Sequence, residues 1–275
     1  MMEFFNAVLE YRFLQYAVLA CLLASIGCGV VGSYVVVKKL GSLAGGIAHA
    51  VLAGMGIAYF FGESPLLGAT IMSLVSAVFI GMINLRLKQN EDILVAAFWS
   101  VGMAIGILFI SRTPGYNINL MSYLFGNILL VTGKDLVHML ILDIMVLIIV
   151  RVFYRQFLAA AFDEEYARVR GVNVEAYYIL MLSMVALTVV LLIQIVGLIM
   201  VIALLVLPTA SVSLFVGSLP RIMFYSVILC AMVMISGLAL SFQPDLPSGA
   251  MIILVAGAVY SLSLLVYSQR NRKLN

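Results

Sequence analysis

The chain has 275 residues, of which 65% are hydrophobic and 10% charged, and its mean hydropathy is +1.20. Soluble domains carry about 25% charged residues, so this composition excludes a soluble fold and requires helix wherever the chain meets lipid. The net charge of +3 is small, and the basic residues cluster at the edges of apolar runs, which argues against a nucleic-acid surface.

A spanning helix needs about 20 apolar residues, so the length leaves room for about eight to ten spans and no sizeable soluble domain. The runs are continuously apolar rather than alternating, which speaks against a β-barrel. The expected fold is an all-α polytopic membrane protein forming a single domain over residues 1–275.

Residues 1–12 mix apolar and polar side chains and suit a short interfacial helix; no cleavable signal peptide is expected there. Spans are expected at 13–37, 43–62, 66–85, 93–111 and 136–153. Between the last two lies an irregular stretch, and its segment 121–131 is expected to be re-entrant or interfacial. A polar connection covers 154–175. The apolar run 176–216 is too long for one span and is divided near 194–197 into spans six and seven. Spans at 222–242 and 249–267 complete the chain, giving eight to nine in all.

Lysine and arginine placement orients these spans. With the Lys38-Lys39 loop in the cytoplasm, only Arg12, Arg112 and Lys134 of the 15 basic residues fall outside. The chain is thus expected to be integral to the cell membrane, with its N-terminus outside and its C-terminus cytoplasmic. The three cysteines, Cys21, Cys28 and Cys230, lie in apolar runs without a pairing pattern and are read as small apolar packing.

The stretch 43–62, LAGGIAHAVLAGMGIAYFFG, carries His49, one of only two histidines. Lipid offers an imidazole no hydrogen bond, so His49 should face other helices or a water-filled path. Glycine and alanine around it allow close helix approach. Its imidazole suits zinc, manganese or iron. The alternative is a structural histidine bonded to a neighbouring helix. Asp143 lies within a predicted span, and its alternative to a metal path is an interhelical polar pair. Pro208, in LLVLPTA, is expected to kink its helix and act as a hinge. The connection YRQFLAAAFDEEYARVRGVNVE reads as an amphipathic cytoplasmic helix with a stop at Gly171, suited to a soluble partner. No Walker loop, H-E-x-x-H or nucleophile signature occurs, so no catalytic residue is assigned.

Five stretches together resemble the zinc/manganese/iron-type ABC permease family: KKLGSLAGGIAHAVLAG (38–54), MSYLFGNILLVTGKDL (121–136), FDEEYARVRGV (162–172), GLIMVIALLVLPTA (197–210) and DLPSGAMIIL (245–254). The resemblance implies an ABC importer permease for a divalent metal. It implies an ATPase-docking loop at 154–175, involving Asp163, Glu164, Glu165, Ala167, Arg168 and Gly171. It marks Asp245 beside His49 as a metal-path residue; otherwise Asp245 caps the last span. It also implies two cytoplasmic ATPases, a second permease copy as a homodimer, an external metal-binding protein, and no permanently bound cofactor. Family members commonly carry Asp four residues before the histidine, where this chain has Gly45.

The expected function is therefore ATP-driven import of a divalent metal, zinc first and manganese second, with hydrolysis in a separate subunit. The alternatives are a permease for a chelate such as a siderophore or corrinoid, an ion-coupled secondary transporter, and a non-transporting scaffold for the ATPase.

Overall fold

A computed structural model describes residues 2–87, 91–113, 126–198, 201–242 and 246–272, and within them the regular structure is helical throughout. In chain order the helices are α1 (Met2–Glu10), α2 (Arg12–Val37), α3 (Gly41–Phe60), α4 (Pro65–Leu87), α5 (Glu91–Ser111), α6 (Gly133–Phe162), α7 (Glu164–Val169), α8 (Val174–Val196), α9 (Val201–Ser213), α10 (Leu219–Phe242) and α11 (Ser248–Arg272). Among the described residues, α2 to α6, α8, α10 and α11 are long and apolar enough to cross a membrane, eight helices in all.

The chain groups into two compact units. One comprises 1–36, 121–143 and 191–275, and the other 37–120 and 144–190. In the first unit the rings of Phe4 and Phe242 meet edge to face at 5.8 Å, which puts α1 near the end of α10. A Cβ on Gly29 of α2 would lie 2.7 Å from the Cα of Val227 in α10. Thus α10 runs antiparallel to α2, and α11 packs back along α10, with Gly237 of α10 facing Ile252 of α11. The 3₁₀ turn Ile128–Leu130, capped by Asn127, follows Gly126, which abuts Ile195, Val196 and Gly197 at the end of α8. Residues 126–131 are therefore a compact turn and do not form a spanning helix; residues 121–125 of the expected re-entrant segment lie outside the described residues.

One span differs in length from the sequence reading, and another ends at a break. The expected seventh span is α9, with only 13 residues. At 1.5 Å per residue it is about 20 Å long, short of a hydrocarbon core of about 30 Å. The fifth span breaks at Phe153, where it was expected to end. Helix α6 continues to Phe162 through a local break at Phe153 (φ −101°, ψ 17°), so the first nine residues of the expected connection, 154–162, stay helical. The rings of Phe153, Phe157 and Tyr177 hold this break, with centroids 5.6 to 6.4 Å apart.

In the second unit α3 is the most enclosed helix, with most of its side chains buried. It has no side-chain cap at Leu40, so burial rather than capping stabilises it. Its partner α5 runs parallel to it, because successive contacts advance together along both chains. Gly46 faces Val95, Ala50 faces Gly102, and Leu52 and Gly56 face Gly106. A Cβ on Gly102 would lie 2.7 Å from the Cα of Ala50, and one on Gly106 2.5 Å from the Leu52 carbonyl oxygen. Only glycine permits that backbone approach.

Candidate functional site

His49 sits on the α3 seam about 12 Å along the helix from Gly41, at about 1.5 Å per residue. It is 6% exposed, and its Nδ1 has no hydrogen-bond partner. The Nδ1 atom therefore makes no bond to a neighbouring helix. Instead, the imidazole stacks on the indole of Trp99 from α5, with centroids 3.9 Å apart and planes 13° from parallel. The Trp99 Nε1–H donates to Met103 Sδ at 3.0 Å, one turn further along α5. Val95, Trp99, Gly102 and Gly106 follow one another at four, three and four residues, so they form one stripe of α5 facing α3.

Trp99 was not singled out by sequence reasoning. Its signal was present: it is the only tryptophan, and it lies three and seven residues before two glycines of an apolar helix.

Gly45 is buried in α3 and supplies no side-chain donor. Among the described residues, no group of three or more His, Cys, Asp or Glu converges as a metal site. Asp143 belongs to the first unit, is 1% exposed, and has no hydrogen-bond partner on either carboxylate oxygen. Asp245 lies outside the described residues. His138 is exposed and its Nδ1 lies 2.9 Å from the Lys134 carbonyl of its own helix. Pro208 is buried inside α9, and Ser211 Oγ donates to the Leu207 carbonyl beside it at 2.9 Å. The three cysteines are buried and unpaired.

The expected docking element is built by local rules. Asp163 caps α7, accepting from the Tyr166 N–H at 2.9 Å. Gly171 (φ +76°) closes it: its N–H bonds to the Arg168 carbonyl, and that of Val172 to the Ala167 carbonyl. Ala167 points inward and is fully buried with Ala160 and Val174, so it anchors the element instead of facing outward. Asp163, Glu164, Glu165, Arg168 and Gly171 are exposed. Glu164 also pairs with Lys38 at 2.8 Å, and Arg168 pairs with Glu175 at 2.7 Å. Sequence reasoning missed the apolar part of this surface, where Phe162, Tyr166 and Val169 are 64%, 50% and 88% exposed. Their spacing of four and three residues was the available signal.

Among the described residues, eight long apolar helices, a buried imidazole on one of them and a short polar helix between two of them define a polytopic, all-helical integral membrane protein. Residues 10–267 match the ABC 3 transport family, and the chain belongs to it. A probable metal transport system membrane protein of Chlamydia pneumoniae is 42% identical, covering 92% of this chain and 88% of its own. The manganese transport system membrane protein MntC of Halalkalibacterium halodurans is 33% identical, covering 94% and 89%. Among solved structures, PsaBC from Streptococcus pneumoniae in complex with Fab is similar, with a TM-score of 0.87, 28% identity, and coverage of 95% of this chain and 94% of that one. The expected fold, an ABC permease made of membrane-spanning helices, is what the helices and these relatives show.

Proposed function

We propose that this chain is the transmembrane subunit of an ATP-driven importer for a divalent first-row metal ion, with His49 as a ligand on the ion path. The observation that carries this reading is the buried Nδ1 of His49, left without a partner in a chain of the ABC 3 transport family. An orphaned buried polar atom is costly unless a ligand uses it. The names of the relatives support metal as cargo and move the preference from zinc to manganese. Imidazole accepts either ion, so His49 alone does not choose between them.

In this reading Asp143 and Asp245 are further stations for the cation, and Pro208 lets α9 flex. A cytoplasmic ATPase dimer docks on α7 through Glu165, the exposed Arg168 and the apolar side chains of Phe162, Tyr166 and Val169. A second permease copy and an external metal-binding protein complete the assembly. The N-terminus is outside and the C-terminus cytoplasmic, which requires the segment that holds α9 to make a ninth crossing together with its flanking residues. In support, basic residues concentrate on one set of loops, and α2 starts at the end of the first unit opposite to where α11 finishes. The Lys38–Glu164 ion pair ties α7 to the turn that opens α3, giving ATPase movement a direct connection to the helix that carries His49.

The test is uptake of Mn²⁺ and Zn²⁺ by liposomes holding the permease, its ATPase and its binding protein. Uptake should require ATP and fall to background in His49→Ala, while the subunits still co-purify. Normal uptake by the variant would remove His49 from the path.

A further inference from the structure

We propose that Trp99 is a positioning residue that orients the His49 imidazole for the transported cation and strengthens its hold on that cation. The proposal rests on the reading of His49 as an ion ligand. A stack covers the face of an imidazole but leaves the nitrogen lone pairs, which lie in the ring plane, open to a ligand. Nδ1 is buried and unpartnered, so the stacked ring presents an unused donor atom. Coordination withdraws electrons from the imidazole, and the indole face is the negative end of the ring quadrupole. The stack therefore tightens when the cation binds, and the same contact favours the bound form.

Two other roles for Trp99 fit the structure less well. A core-filling tryptophan would be buried, but Trp99 is 41% exposed. A membrane-interface tryptophan would sit near a helix end. Trp99 is instead eight residues into α5, about 12 Å from its start at about 1.5 Å per residue. The indole is fixed on two sides, by its donation to Met103 Sδ at 3.0 Å and by the Gly102 approach that brings α5 onto α3. Such fixing suits a residue whose task is to hold another ring at a set angle.

The experiment uses the complete complex in proteoliposomes, with Mn²⁺ and Zn²⁺ chlorides as probes. Trp99→Leu should raise the half-saturating ion concentration about tenfold and leave the maximal rate within about twofold, while Trp99→Phe, which keeps a ring face, should raise it only about threefold. Trp99 is the only tryptophan of this chain, so the emission of wild type minus that of Trp99→Phe reports on it alone. That difference should change when Mn²⁺ is added, and should not change in His49→Ala. A Trp99→Leu complex with wild-type half-saturation would overturn the proposal, as would an emission unresponsive to either ion while His49→Ala still abolishes uptake. Both results leave the ion-path reading of His49 standing. Normal uptake by His49→Ala sinks that reading and the Trp99 role together. If Trp99→Leu does not assemble with the ATPase, the Phe variant and the emission difference decide the question.

Discussion

The α3–α5 seam and the short helix α7 with its caps, proposed above as the docking element, belong to the same unit but are stabilised in opposite ways. The seam has no side-chain cap at the start of α3 and draws its order from backbone approach at Gly102 and Gly106. The docking element has only six helical residues, too few to be stable alone, and is closed by the Asp163 cap, the Gly171 turn and two ion pairs. Lipid rewards shape and leaves no water to satisfy a misplaced polar group, so a buried seam tolerates little change. Water competes for every hydrogen bond and charge at the docking element, so each interaction there contributes little by itself.

The sharpest way to break this contrast is to fill the seam. In Gly106→Leu, the new Cβ would meet the Leu52 carbonyl at 2.5 Å, so α5 must leave α3. The expected cost is about 3 kcal/mol or more, read as loss of monodisperse protein in detergent and a lowered Tm. Asp163→Ala should cost less, about 1 kcal/mol, confined to α7 and visible as faster amide exchange over 164–172 with the global Tm nearly unchanged. Losses of equal size from the two changes would erase the distinction between the regions. The smallest effect belongs to the Lys38–Glu164 pair, whose glutamate is 53% exposed. Charge reversal at either position should cost below about 1 kcal/mol, weaken further in high salt, and be recovered in Lys38→Glu/Glu164→Lys. If the single reversals lower ATP-coupled uptake while ATPase activity persists, and the double reversal restores it, the pair transmits motion as well as stabilising the loop.

The helix α7 and its two ends were legible because their signals are local. Asp163 three residues before Tyr166, and Gly171 just beyond the last turn, are capping chemistry written within nine residues. Its inner and outer faces were harder to assign. Ala167 belongs to the resembling motif but is buried against Ala160 and Val174, and this depends on how α6 and α8 converge around it. The expected end of the fifth span at 153 coincides with the break at Phe153, and helix resumes through 162 where Phe157 packs against Tyr177. The division of the apolar run 176–216 near 194–197 was legible, since α8 ends at Val196 and Gly197 takes φ +79° before α9; only the 13-residue length of α9 was not.

The amino-acid sequence by itself determined the solvent this protein lives in, the positions of most of its helices, and the glycine-rich segment around His49. These follow from properties summed along one stretch of chain: apolar length, charge placement and capping residues. Only the tertiary structure decided that His49 meets Trp99, that Lys38 meets Glu164 across 126 residues of chain, and that Ala167 turns inward. Those outcomes depend on the register between helices distant in sequence. That register is set by where small residues on two helices happen to coincide, a condition no single stretch contains.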